Sequence, residues 1–245
     1  LITVGTPSQG EVDYQVELID QLIAQKVDAI VIVPINSKVL VPPVIRAVLS
    51  GIKLVNIDIR LDQKLLNDHD IQVVYIGPDN ESAAYDSGKV LASYLNKNDE
   101  VVIIEGLSGA ENAYQRNTGF HRVIEEEKLK LVASESADWE TDKAETVFGK
   151  LLLNYPGIKG VFCGNDAMAL GVINVLDRNN RSDIKVCGFD NDTSAQKFIK
   201  EGKQVATIDI YSSQMAVEGI KCAIKMCKEN FFEAEMSTNY MLYKI

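Results

Sequence analysis

Residues 161–176 read VFCGNDAMALGVINVL: an apolar strand-like start, then Gly-Asn-Asp, then a run with helical spacing. The start of a helix needs one capping side chain, and either Asn165 or Asp166 would serve. The other is surplus, so this handover from strand to helix asks for a second role. A short strand that passes directly into a helix is also the unit from which parallel sheets are built.

The same alternation extends along the chain. DAIVIVPI (28–35), KLVNIDI (53–59), VVYIG (73–77), EVVIIEG (100–106), GVFCG (160–164), IKVCGFD (184–190) and VATIDI (205–210) are short β-rich runs separated mostly by helical stretches. Near-continuous Val and Ile, without polar residues at every second position, is what strands covered on both faces require. The helical stretches match. Val12, Val16, Ile19 and Ile23 form one apolar stripe, with Asp20, Gln21 and Lys26 left for water. Pro42 and Pro43 fall where a first helical turn begins, and Gly51 closes the same helix. The expected fold class is α/β, with parallel sheets flanked by helices. No low-complexity tract divides the chain, so two lobes would be joined by several ordinary crossings.

Composition bounds the function. The 245 residues are 46% hydrophobic, and no apolar run is long enough to span a bilayer. A formal charge of -10 argues against nucleic acid as a partner of these residues, because phosphate binding needs clustered Lys and Arg. Cys163, Cys187, Cys222 and Cys227 match no zinc or redox spacing and read as buried thiols. His69 and His121 read as surface residues. There is no glycine-rich dinucleotide fingerprint, GxxxxGK[ST], HExxH or GxSxG, and no cofactor is expected.

In a doubly wound sheet, ligands bind outside the carboxyl ends of the strands. The polar residues immediately after the apolar runs are Asp58, Asn165, Asp166, Asp190 and, near a strand end, Asp209. Each alone reads more readily as a helix cap or turn residue. Together they suggest a polar ligand. VCGFDNDTS offers an enzymatic alternative, since a strand followed by Asp-x-Asp resembles the nucleophile loop of haloacid-dehalogenase-type phosphatases, with Asp190 attacking and Asp192 as acid/base. No later acidic pair follows a strand to hold the magnesium ion that this chemistry uses, and a non-enzymatic protein is expected.

The order QLIAQKVDAIVIVPINS, IKLVNIDIR, VVYIGPDN, GFHRVIEEE, PGIKGVFCGNDAMALGVINVL, IKVCGFDN, GKQVATIDI resembles the ribose-type periplasmic sugar-binding proteins, with their type I solute-binding fold, over nearly the whole chain. GNDAMALG and CGFDN are its most diagnostic parts, and the effector domains of lac-repressor-type regulators share them. The resemblance implies two doubly wound lobes, residues 1–78 plus 211–238 and residues 79–210 plus 239–245, that hinge closed on a ligand. It implies hydrogen bonds to the ligand from Asp58, Asn165 and Asp190, with Asp166 starting the helix. It also implies a guanidinium from Arg116 and an aromatic wall from Trp139. Read alone, Arg116 is equally a surface helical residue and Trp139 equally a structural one.

Two positions depart from the ribose-binding pattern. Ile59 stands where those proteins have Arg, with Arg60 one further on, and Asp209 stands where they have Gln. Ribose itself is therefore not the expected ligand; a different polyol, sugar or other small polar solute is. LITVGT looks like the family's second strand, with the first strand and helix supplied upstream of Leu1 and the missing strand lying between residues 1–6 and 28–35. The implied partner is a transporter permease or a membrane receptor kinase, in the periplasm or outside the cell, with lipid anchoring as one form. The effector domain of a lac-repressor-family regulator is the alternative reading.

Overall fold

The computed structural model describes residues 1–8, 10–229 and 232–244. In chain order the elements begin with α1 (Val12–Ala24), β1 (Ala29–Ile32), α2 (Val41–Leu49), β2 (Lys53–Ile57), α3 (Gln63–Asp68) and β3 (Val74–Pro78). There follow α4 (Asn80–Ala92), β4 (Glu100–Glu105), α5 (Glu111–Glu126), β5 (Lys130–Ser136), α6 (Thr141–Asn154) and β6 (Ile158–Cys163). The chain continues through α7 (Asp166–Arg178), β7 (Lys185–Cys187), α8 (Thr193–Lys200) and β8 (Ala206–Asp209), and ends with α9 (Ser212–Glu229), β9 (Glu235–Thr238) and β10 (Met241–Lys244). The chain divides into two units. Leu1–Pro78, Gly109–Asn112 and Tyr211–Asn239 form the first; Asp79–Ser108, Ala113–Ile210 and the segment from Tyr240 form the second.

The sheet of the first unit has the order β1-β2-β3-β9, all parallel. Successive residues of β1 point to opposite faces. Ile30 and Ile32 join a buried cluster with Ile19, Leu40, Val44 and Leu54, against which Val12, Val16 and Ile23 of the α1 stripe also pack. Val31 faces the other way, toward Gly219 of α9. Both faces are covered, which is why the run lacks polar alternation. Pro42 and Pro43 lie in the first turn of α2, where a missing N–H costs nothing.

The second unit has the order β10-β8-β7-β6-β4-β5, parallel except for β10, which runs antiparallel to β8. Five of these strands follow the doubly wound order, with the reversal of direction between β4 and β6. Its core includes the fully buried Phe120, Phe148, Phe162 and Phe189. The Phe120 and Phe162 rings meet at 5.3 Å between centroids, within the range of favourable tilted aromatic pairs.

Several expectations need correction. Residues 1–6 form no strand; Leu1 to Gly5 are exposed, and among the described residues nothing offers them a hydrogen-bonding ladder, so β propensity alone does not order them. The outer edge of β1 is likewise unpaired among the described residues. Two strands were not expected: β5 is a half-exposed edge, and β9 has the sequence EMST, which becomes a strand by pairing with β3. Cys163, Cys187 and Cys222 are buried, but Cys227 is exposed. His69 and His121 are both exposed.

Candidate functional site

The segments that follow β3, β5, β6 and β7 meet around one side chain. Arg116, on α5, is buried to 3% exposure. Its Nε donates to Asn80 Oδ1 at 3.0 Å, and its Nη1 donates to the Gly164 carbonyl at 2.8 Å and to Asp190 Oδ1 at 3.3 Å. Nη2, with its two N–H groups, makes none of these bonds among the described residues. A buried cation is tolerated only when paired and hydrogen-bonded, and here three segments supply the acceptors.

Aromatic rings fix the same group. The guanidinium carbon lies 3.6 Å from the centre of the Phe189 ring and 5.4 Å from that of Trp139, close enough for cation–π attraction. Trp139 follows β5 in a tight turn in which Asp138 and Trp139 both have positive φ, 51° and 68°. Its indole lies across Gly106 and Gly164, at the ends of β4 and β6. A side chain at 106 would overlap the indole, so glycine there is a packing requirement.

Asn165 and Asp166 divide their labour differently from the expectation. Asn165 is the N-cap of α7: its Oδ1 accepts from Met168 N at 2.9 Å, and its Nδ2 donates to the Trp139 carbonyl at 3.4 Å. Asp166 starts the helix by position, but its carboxylate bonds outside it. Oδ1 accepts from Gln204 Nε2 at 2.8 Å, and Oδ2 accepts from Thr207 Oγ1 at 2.7 Å and Asp192 N at 3.0 Å. Burial pushes this carboxyl up to about 7, against the three donors, which favour its charged form.

Asp190 sits on the turn after β7 with φ 104°, followed by Asn191 at 58°. Its side chain is 32% exposed, the most open polar group against Arg116. Asp209 ends β8 and accepts from Asn191 Nδ2 at 3.1 Å. The second unit therefore brings together Arg116, Trp139, Asn165, Asp190 and Asp209.

Asp58 and Ile59 belong to the first unit. Asp58 has φ 62°, and its carbonyl accepts from the Tyr75 hydroxyl at 2.8 Å. Asn56 pins the same loop, its Nδ2 donating to the Ile59 carbonyl and its Oδ1 accepting from Leu61 N, both at 2.8 Å. Ile59 is buried and lines a cavity of about 340 Å³ with Gln15, Leu18 and Ile32. Arg60 does not replace the Arg of the ribose-type pattern. Its guanidinium stacks 3.9 Å from the Tyr75 ring centre and pairs with Glu235 of β9.

Asn80, Phe189, Gln204 and Thr207 escaped the sequence reading. Phe189 lies inside the CGFDN motif, and Asn80 directly follows the strand end at Pro78–Asp79, so the rule of inspecting strand ends could have found both. Gln204 and Thr207 carry no such signal. Among the described residues, no group of three His, Cys, Asp or Glu could hold a metal ion, and no helix is long and apolar enough to cross a membrane.

Residues 1–230 match the family model described as a periplasmic binding protein domain. The D-ribose/D-allose-binding protein of Pseudomonas aeruginosa is 38% identical over 227 residues, which cover 92% of this chain and 71% of that one. The D-allose-binding periplasmic protein of Escherichia coli is 31% identical, covering 90% of this chain and 72% of that one. Among solved structures, an ABC transporter solute-binding protein from Burkholderia multivorans superposes with a TM-score of 0.96 at 38% identity, covering 100% of this chain and 87% of that one. A periplasmic solute-binding protein from Actinobacillus succinogenes, with bound D-allose, gives 0.92 at 30% identity, covering 100% and 86%.

Proposed function

The chain belongs to the periplasmic binding protein domain family, and on that premise we propose that it is a periplasmic solute-binding protein that captures a sugar and delivers it to the permease of an ABC transporter. The observation that carries this reading is the buried guanidinium of Arg116, held against Phe189 and Trp139 with both N–H groups of Nη2 outside these bonds, beside the partly exposed carboxylate of Asp190. A sugar presents that combination with its complement. Its hydroxyls donate to Asp190 and accept from Arg116, while the C–H face of its ring has the Trp139 indole to lie against. Each hydrogen bond to a charged group contributes about 1.5 to 3 kcal/mol.

Asn165 adds an amide at the edge of the same cluster, and Asp209 acts through Asn191. Asp58, on its pinned loop in the first unit, is a ligand-contact candidate by the family pattern. With Ile59 buried and Arg60 committed to Tyr75 and Glu235, that loop offers a carboxylate but no guanidinium. A sugar must therefore be held here without a second arginine on that loop. D-Allose and D-ribose, the ligands in the names of the relatives, are the first to test. The chemistry is recognition alone, with no bond made or broken.

Native mass spectrometry of the purified protein, followed by a thermal-shift panel of pentoses, hexoses and polyols, tests the proposal. A cognate sugar at a hundredfold over its Kd stabilises the protein by about 2.7 kcal/mol, or about 5 to 10 °C in Tm at this chain length. No co-purified sugar and a flat panel would count against sugar capture.

A further inference from the structure

We propose that Asp166 is a positioning residue for Asp190: its carboxylate holds the backbone of residues 191 and 192, and so fixes where the Asp190 side chain stands. The inference rests on the sugar-binding reading only in that Asp190 is there a ligand contact. An acidic residue in the first turn of a helix ordinarily serves that helix. Here Asn165 has taken the capping bond, and the three donors to Asp166 come from three places outside α7.

The arrangement is a clamp on one turn. Before Asp190 the backbone is held by the sheet, with Gly188 N donating to the Ala206 carbonyl at 2.9 Å and Asp190 N donating to the Ile208 carbonyl at 2.7 Å. After Asp190 the ladder stops. Asp192 N donates directly to Asp166 Oδ2 at 3.0 Å. Asn191 N donates to Thr207 Oγ1 at 3.1 Å, and that hydroxyl in turn donates to Asp166 Oδ2 at 2.7 Å. One carboxylate oxygen thus anchors both peptide groups that follow Asp190, one of them through a hydroxyl relay.

The turn needs an anchor because Asp190, at φ 104°, lies outside the left-handed region that Asp and Asn adopt readily, and Asn191 follows it at 58°. Gly188 belongs to the same device. A Cβ there would overlap the Asp166 carboxylate, so the strand end admits the carboxylate only as glycine. Gln204 completes the set from the other side, donating its Nε2 both to Asp166 Oδ1 and to the Ala206 carbonyl at 3.1 Å. Asp166 is 1% exposed and acts through its neighbours.

Residue-resolved amide exchange by NMR on the whole chain decides the matter without any ligand. Thr207→Val, close in shape, should speed exchange at Asn191 at least tenfold and at Asp192 less. Asp166→Ala should speed both at least tenfold beyond any change at Val102 and Ile104 in β4. Unchanged exchange at 191 and 192, or a rise only in step with β4, overturns the proposal; if Asp166→Ala fails to fold, Thr207→Val decides alone. Calorimetry with D-allose and with D-ribose completes the test. At least a tenfold loss of affinity in the loosened variants is expected, and full affinity with a loosened turn would overturn the positioning role. If the unaltered protein binds neither sugar, the choice of ligand fails, while the exchange measurement still decides what holds the turn.

Discussion

The guanidinium carbon of Arg116 lies 3.6 Å from the centre of the Phe189 ring, so the cation lies over the aromatic face while its N–H groups meet Asn80, Gly164 and Asp190. A lysine cannot do both, because an ammonium has neither the plane to stack nor the fork to reach three acceptors. Arg116→Lys should therefore lower the affinity for D-allose or D-ribose, whichever binds, by about 10- to 100-fold, the equivalent of about 1.5 to 3 kcal/mol. Calorimetry measures the loss, and circular dichroism checks that the fold persists. Equal affinity in the variant would remove Arg116 from the site.

Trp139 is the single Trp of the chain and stands 5.4 Å from the Arg116 guanidinium. A sugar settling against the indole changes its solvation and the field around it. Tryptophan emission should change saturably with added sugar and return the calorimetric Kd. A flat fluorescence titration beside clear calorimetric binding would place the ligand elsewhere.

Acidity tests the burial of Asp166. Burial pushes its carboxyl up to about 7 in the folded chain, from about 3.9 when unfolded. Between those values the native state holds a proton that the unfolded state has lost. The contribution of Asp166 to stability is thus fully present below about pH 4, falls as pH rises toward about 7, and is level above it, with a limiting slope of about 1.4 kcal/mol per pH unit. Carboxylates held low by partners, such as Asp183 beside Arg181 and Glu145 beside Arg178, act in the opposite sense under acid conditions. The informative quantity is therefore the difference between the protein and Asp166→Asn. Urea midpoints from pH 4 to 8 should show a decline toward neutrality that the variant lacks; parallel curves would mean that Asp166 stays ionised throughout.

The thiols should react in a fixed order. Cys227 is exposed, whereas Cys163 and Cys187 are fully enclosed and burial pushes both up, Cys187 to about 12. Only a thiolate is nucleophilic. Under native conditions one thiol per chain should react promptly with a chromogenic disulfide, and Cys227→Ser should abolish that phase. Cys222 lies in α9 of the first unit, so prompt reaction of three or more thiols would show that the sheet core of the second unit opens readily.

By itself the sequence determined which segments are strands of a covered sheet. Runs such as VVII and GVFC are apolar on every residue because both of their faces are buried, and that constraint is written locally. It also carried the family motifs, and with them Arg116, Trp139 and Asp190. Tertiary structure alone decided matters that depend on a distant neighbour. LITVGT has the composition of a strand but nothing among the described residues beside it to pair with, while EMST has no strand signature and becomes one against β3. Arg60 is spoken for by Tyr75 and by Glu235, a residue 175 positions away. The surplus polar residue after VFCG belongs to the same class. Which of Asn165 and Asp166 caps the helix is settled by Thr207, 41 positions on, and by the amide of Asp192. Hydrogen bonds between residues of separate elements follow from the folded geometry, and local spacing in the chain does not record them.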